Sequence, residues 1–383
     1  MINTLVKFIR DIYKTNEFIA LHEPLFNGNE LKHVTEAIKS TYVSSVGKFV
    51  DEFEEGIEQY TGSPGAVSTV NGTAALHAAM HVAGVKAGDA VITQALTFVA
   101  TCNAIHQMGA QPVFVDVSKS TMGLCPRALE LFLDDNALLK DDGSYLKSSQ
   151  KRIRAVIPMH TYGHPVELDE IVTICEKWKL VLIEDAAESL GSFYKGRHTG
   201  TFGDFGTISF NGNKVITTGG GGMVLCASDK SKQIVKHVTT TAKVEHPYEF
   251  FHDVAGFNYR MPNLNAALGV GQLAVLDGHL LKKRKLAMHY RAFFKGSNYS
   301  FFDEPVDTKS NFWLNSIICP DLDARNELIN KAKTQGIMMR PIWTPMHKLP
   351  VFINSPKGDL SNTEWFEFRV INIPSSPVEI GHA

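Results

Sequence analysis

The sequence predicts a fold of the α/β class, with a mostly parallel central sheet flanked by helices and a smaller C-terminal α+β domain. Three observations predict it. Between about residues 65 and 226, short apolar runs of strand length alternate with helical stretches, the pattern of strands covered on both faces. After about residue 270 that alternation fades. The chain has 383 residues, enough for two domains.

The elements follow in order. Residues 30–60 read as helical, with acidic and apolar side chains interleaved through Phe49-Val50-Asp51-Glu52-Phe53-Glu54-Glu55. A first strand is expected at 66–70 and a helix at 71–82. Strands are then expected at 90–93, 113–117 and 154–158, each rich in apolar and β-branched residues. The polar stretch 134–152 contains Asp134-Asp135-Asn136 and Lys140-Asp141-Asp142-Gly143-Ser144 and reads as a surface excursion before the next strand. A helix at 168–178 leads to strands at 180–185, 207–210 and 222–226. A long helical stretch, 273–294, precedes the C-terminal part. The expected division is therefore 1–270, an N-terminal segment plus a large α/β domain, and 271–383, a small α+β domain. No internal repeat or low-complexity tract is visible.

Composition narrows the function. Hydrophobic residues make up 44% and charged residues 20%, with a formal charge of −2, so nothing points to nucleic acid. No apolar run approaches the roughly 20 residues of a membrane span, and the first residues lack the h-region of a signal peptide. The five cysteines (Cys102, Cys125, Cys175, Cys226, Cys319) are scattered and form no CxxC pair. Free thiols in a reducing compartment are expected, and the protein is expected to be cytoplasmic.

The chemistry centres on Lys214. It follows the strand-like Gly206-Thr207-Ile208-Ser209-Phe210 and precedes the glycine run Gly219-Gly220-Gly221-Gly222. Upstream, the strand Leu180-Val181-Leu182-Ile183-Glu184 ends in Asp185. An amine, a strand-terminal carboxylate and small or hydroxyl groups are what pyridoxal phosphate needs for its Schiff base, its pyridinium nitrogen and its phosphate. Asn71-Gly72-Thr73-Ala74 opens a helix after a strand; it is either a phosphate site on free N–H groups or a plain N-cap. The glycine run is either part of the same cradle or a loop, and no P-loop lysine follows it. Asp185 is either a helix cap or the pyridine partner, and Ala186 and Ala187 beside it leave room for a flat ring. Phe98 would stack on that ring or belong to the core. His160 would line the pocket or pack. Asp185, Glu188 and His198 make no convincing metal site, and no Gly-x-Ser-x-Gly is present.

Together these residues resemble the DegT/StrS family of sugar aminotransferases, fold-type I pyridoxal phosphate enzymes. The resemblance runs nearly the full length. It takes in Gly47-Lys48-Phe49-Val50, Asn71-Gly72-Thr73-Ala74-Ala75-Leu76, Thr97-Phe98, Glu184-Asp185-Ala186-Ala187, Gly203-Asp204-Phe205-Gly206, Ser209-Phe210 with Lys214, and Thr218-Gly219-Gly220-Gly221. It continues through Asn258-Tyr259-Arg260-Met261, Arg340-Pro341 with His347, and Ile373-Pro374-Ser375-Ser376. It implies Lys214 as the Schiff-base lysine and proton shuttle, Asp185 on the pyridine nitrogen, and Phe98 stacked on the ring. Thr73, Ala74 and Ser209 would hold the phosphate, with Asn258 reaching it from the neighbouring subunit of a homodimer with shared active sites. Glu188 stands where many members carry Gln or His near the cofactor's phenolic oxygen, and a carboxylate there must be protonated or lean on another donor. Arg260, Arg340 and His347 would meet the nucleotide diphosphate.

The resemblance also implies a reaction: transfer of the amino group of L-glutamate to C4 of a nucleotide-linked 4-keto-6-deoxy sugar. The blocks Phe8-Ile9-Arg10-Asp11-Ile12-Tyr13 and Leu21-His22-Glu23-Pro24, with the 134–152 excursion, look like a branch acting on UDP-4-keto-6-deoxy-N-acetylglucosamine on the way to legionaminic acid or bacillosamine-type sugars. Some relatives instead use pyridoxamine phosphate for nucleotide-sugar dehydration, but there the lysine is replaced. A non-catalytic cofactor-binding relative usually carries a fused nucleic-acid module or lacks the lysine; neither applies here.

Overall fold

The computed structural model describes residues 2–380. Its centre is a nine-stranded sheet whose main path runs Gly65–Thr69, Gly222–Cys226, Phe205–Ser209, Val181–Asp185, Arg152–Ile157, Ala90–Gln94, Gln111–Val115. The last five are parallel to one another, and Gly222–Cys226 runs against both neighbours. Strands such as Ala90–Gln94 and Gly222–Cys226 are buried along their whole length, as expected of a sheet covered on both faces. Helices Gly72–Val82, Val99–Gln107 and Leu168–Lys177 supply the crossovers. The parallel strands point their carboxyl ends to one edge, so Asp185 and Ser209, each the last residue of its strand, arrive together.

Two expectations change. Residues 30–60 form two helices, Glu30–Ser40 and Lys48–Thr61. The break belongs to Asn263, whose amide donates to the Tyr42 carbonyl at 2.6 Å and accepts the Phe49 N–H at 3.1 Å. The stretch 134–152 is not a plain excursion. Helix Pro126–Asn136 runs into it, and then Ala137–Lys140 and Gly143–Leu146 form a hairpin that joins the sheet through Ser144 opposite Ile153. Its two-residue turn, Asp141-Asp142 before Gly143, is held by the Tyr145 hydroxyl donating to Asp142 at 2.6 Å.

A separate four-stranded antiparallel sheet follows: Ser300–Phe301, Asn315–Ile318, Val370–Ile373, Arg340–Pro341. The long helix Leu276–Phe294 lies against it and gives Leu286, Tyr290 and Phe294 to its core. The N-terminal helix Ile2–Tyr13 packs there too, burying Leu5, Ile9 and Ile12 at helical spacing against that cluster. Ile19 extends the attachment, exchanging backbone hydrogen bonds with Gly336 and Met338. Lys283, fully buried on the long helix, donates to the carbonyls of Trp313 and Ser375 and has no carboxylate partner among the described residues. Burial holds its pKa well below the usual lysine range.

All five cysteines are free, four of them buried and Cys125 half-buried. Among the described residues no single helix is long and apolar enough to cross a membrane. No group of three or more His, Cys, Asp or Glu is placed to hold a metal ion there.

Candidate active site

A cavity of about 700 Å³ opens at the carboxyl edge of the central sheet, and its wall includes Thr73, Phe98, Asp185, Glu188, Ser209, Lys214 and Arg340. Seven predicted site residues therefore share one space.

Alternation along strand Val181–Asp185 sends its two terminal acids opposite ways. Glu184 is fully buried beneath the turn that follows, accepting from His160 Nε2 at 3.0 Å and from the N–H groups of Gly200, Phe202 and Gly203. Burial alone would raise its pKa, but these donors hold it below the usual value. Asp185 faces the cavity. Its Oδ2 accepts from the Thr101 hydroxyl at 2.6 Å and its Oδ1 from the Ala187 N–H at 3.2 Å. Burial raises its pKa against these bonds, so a cationic group beside it would be well received. His160 is a packed residue: Nδ1 accepts the Val166 N–H at 3.2 Å, leaving Nε2 as the donor to Glu184.

Helix Gly72–Val82 aims its N-terminus at the cavity. Asn71 caps it, Oδ1 accepting the Ala74 N–H at 2.8 Å. The N-cap reading of Asn71 thus holds, and Ala74, off the cavity wall, has its amide already occupied. Gly72 and Thr73, in the first turn, have N–H groups with no acceptor within the helix. A Cβ at Gly72 would sit 3.0 Å from Ser209 Cβ, so glycine lets helix start and strand end close into one cradle without displacing Ser209. Two first-turn amides, the Thr73 and Ser209 hydroxyls and the helix dipole suit a phosphate dianion.

Lys214 lies between Glu188 and an indole. Its Nζ is 3.4 Å from Glu188 Oε1 and 3.8 Å from the centroid of the Trp313 ring, with the side chain only 13% exposed. Glu188 Oε2 accepts the Tyr162 N–H at 2.9 Å. Burial lifts the Glu188 pKa to about 7, with Lys214 and the Tyr162 N–H pulling the other way. Glu188 therefore does lean on other donors. Phe98 stands at the entry to helix Val99–Gln107, 49% exposed, with a ring free to cover a ligand.

Set against these, three predicted residues besides Ala74 lie off the cavity wall. His347 packs inward on the turn Met346–Lys348, with Nε2 3.6 Å from Glu364. Asn258 is exposed and Arg260 half-buried on a segment bridged to Thr240 and Thr69. Other wall residues had no functional reading from sequence: Tyr162, Trp313, Trp343, Asn213 and Asn372. Tyr162 could have been found from its place just past the carboxyl end of Arg152–Ile157. Trp313, Trp343 and Asn372 come from the C-terminal part of the chain, with no local signal to join them to the sheet edge.

A family model described as the DegT/DnrJ/EryC1/StrS aminotransferase family matches residues 25–379. The chain belongs to this family. Within it, the putative pyridoxal phosphate-dependent aminotransferase EpsN of Bacillus subtilis is 36% identical over 87% of this chain and 84% of its own length. The GDP-perosamine synthase of Escherichia coli O157:H7 is 34% identical over 94% of both chains. Among solved structures, a family member from Brucella abortus superposes with a TM-score of 0.83 at 25% identity, covering 91% of this chain and 90% of that one. TlmJ from Streptoalloteichus hindustanus gives a TM-score of 0.84 at 24% identity over 94% and 93%. The family's fold-type I architecture is the one described above.

The family's cofactor can be tested against this site. A buried acid for a cationic ring nitrogen, a helix N-terminus with hydroxyls for a phosphate, and an amine between them match the three ends of pyridoxal phosphate. The residues fit the group.

Proposed function

We propose that this protein is a pyridoxal phosphate-dependent aminotransferase that moves the amino group of L-glutamate to C4 of a nucleotide-linked 4-keto-6-deoxy sugar. The carrying observation is that one cavity joins Lys214, Asp185, Thr73 and Ser209. When bound, pyridoxal phosphate supplies a carbonyl that takes up an amine and a protonated ring that draws electrons from the neighbouring carbon. Asp185 keeps that ring protonated, held for the task by Thr101 and Ala187. Thr73, Ser209 and the first helical turn would hold the phosphate, and Phe98 would cover the ring. Lys214 would hold the cofactor, and its Nζ, when free, would move the proton at the substrate carbon. Glu188 and Trp313 keep that Nζ from drifting.

Arg340, on the cavity wall, is assigned to an anionic group of the substrate. Asn258 and Arg260 lie outside their own chain's cavity, which supports giving them to the site of a second copy in a homodimer. The aromatic side chains exposed nearby, Tyr248, Phe250 and Phe251, support the same pairing. The chain is taken to divide near residue 270.

The sugar nucleotide is the finer part. The sequence favours UDP-4-keto-6-deoxy-N-acetylglucosamine, whereas relatives named GDP-perosamine synthase, 34% and 35% identical, favour a GDP-linked sugar. An absorbance titration decides. The purified protein with its cofactor is treated with glutamate, freed of it, and then given the UDP- or a GDP-linked 4-keto-6-deoxy sugar. The glutamate-bleached band should return with one of the two nucleotides. No response to glutamate, or no cofactor absorbance, would contradict the proposal.

A further inference from the structure

Asn311 is not on the cavity wall, yet it touches both residues that flank the Lys214 amine. It is 1% exposed and comes shortly before strand Asn315–Ile318, in the C-terminal part of the chain. Its Nδ2 donates to the Glu188 and Leu190 carbonyls, both at 2.9 Å, and its Oδ1 accepts the Trp313 N–H at 2.8 Å. Nitrogen and oxygen of the amide are thus both in use. Their orientation is fixed, because the two carbonyls only accept and the backbone N–H only donates. Gly163 makes the space, since a Cβ there would lie 1.8 Å from Oδ1.

The bonds of this amide divide into a local one and a long-range pair. The bond from the Trp313 N–H spans two residues and closes a turn. Within that turn Phe312 is left-handed, φ 47°, and its own N–H donates to Ser310 Oγ at 3.1 Å. The bonds to Glu188 and Leu190 span 123 and 121 residues of sequence. They tie the turn after strand Val181–Asp185 to the turn before strand Asn315–Ile318. Those two turns carry the groups on either side of Lys214 Nζ, the Glu188 carboxyl at 3.4 Å and the Trp313 ring at 3.8 Å. One buried amide therefore sets the gap in which the amine sits. A group that moves a proton is sensitive to such a gap, because a misplacement of about 1 Å costs on the order of a hundredfold in rate.

We propose that Asn311 is a positioning residue for Lys214, fixing through Glu188 and Trp313 where the reacting amine stands. This rests on the reading of Lys214 as that amine.

Asn311→Ser separates the two sets of bonds. A serine hydroxyl still accepts the Trp313 N–H but stops short of the Glu188 carbonyl. Asn311→Asp keeps the size and the turn acceptor and sets an oxygen against the two carbonyls, which covers the case in which serine leaves too large a gap. Both variants lose buried hydrogen bonds and should melt a few degrees lower, so the measurements are made well below that temperature. In each, the limiting rate of the glutamate half-reaction should fall about tenfold, with little change in the glutamate concentration that gives half of it. A second readout does not depend on activity. Cofactor affinity, followed by quenching of tryptophan fluorescence, should fall several-fold in Asn311→Ser. It should not fall when the same change is made in Lys214→Ala, which has no amine to misplace. Equal loss of affinity in both backgrounds would mark a general packing defect and overturn the proposal. Wild-type limiting rates in both variants, or a defect confined to the half-saturating concentration, would overturn it too. Wild-type protein with no cofactor absorbance would overturn the enzyme reading, and this proposal with it.

Discussion

Trp313 carries the Lys214 ammonium on its ring face, 3.8 Å from the centroid. The residue is tied on two sides, the indole Nε1–H donating to the Asn213 carbonyl at 2.6 Å and the Trp313 backbone carbonyl accepting from Lys283 at 3.1 Å. A cation over an indole shielded from water contributes on the order of 1–2 kcal/mol. Trp313→Leu should therefore slow turnover about tenfold by loosening Nζ. Trp313→Phe, which keeps a ring, should lose less. Rates of the glutamate half-reaction would read this, and equal rates in all three proteins would argue against a positioning role for the indole.

Lys214→Ala should remove transfer below detection and leave the melting temperature within a few degrees of wild type. The cofactor, if retained, should show no absorbance of a lysine-linked form. Substantial residual turnover would place the reacting amine elsewhere.

Glu188 gives a pH signature. Its folded pKa of about 7 lies above the ordinary value of 4.5, so between these the folded state binds the extra proton. Stability attributable to this residue is then full below about pH 4.5 and is lost as pH rises through about 7, at most roughly 3 kcal/mol. Urea midpoints of cofactor-free protein across pH 5 to 8 should fall for wild type relative to Glu188→Gln. Parallel curves would show that the carboxyl is not held protonated.

His164 and His198 act in the opposite direction. Both are buried, and desolvation lowers each pKa from 6.5 to about 4. Below pH 6.5 the unfolded chain takes up protons that the folded state refuses, so stability is lost as pH falls toward 4. His164, whose ring nitrogens have no partner among the described residues and which lies between Phe302 and Phe312, is the cleaner probe. His164→Leu should flatten part of the acid limb of a denaturation series, by up to about 3 kcal/mol. An unchanged limb would rule that out.

Gly163 and Gly196 form a controlled pair. Both are left-handed, φ 91° and 81°, but a Cβ at Gly163 meets Asn311 at 1.8 Å and one at Gly196 meets nothing within 4 Å. Gly196→Ala should cost about 1 kcal/mol from backbone strain alone, and Gly163→Ala several times that. Chemical denaturation of the two variants gives the comparison directly.

How much of this was legible in the sequence follows from how local each determinant is. The central strands were visible because each is an apolar run bounded by turn residues, and Asp185 because it ends such a run. The break between Glu30–Ser40 and Lys48–Thr61 was invisible because its cap, Asn263, lies more than two hundred residues downstream. The hairpin at 137–146 carried a turn signal in Asp142-Gly143 that its polar surroundings masked. Ala74 stood at the right helix start, but the capping bond from Asn71 decides which amides remain free. Tyr162 and Trp313 owe their roles to tertiary placement: one to a left-handed turn closed by Asn311, the other to a bend before strand Asn315–Ile318 that Lys283 pins.

The helix Ile2–Tyr13 has its partners at Leu286, Tyr290, Leu328 and Ile371, so its docking site emerges from the ribosome only near the end of synthesis. Until then its apolar stripe of Leu5, Ile9 and Ile12 has nothing of its own chain to cover it, while residues 65–226 can already close their sheet. A growing chain of this protein therefore carries an uncovered apolar segment for most of its translation time. The earliest of these segments to be made is among the last to settle.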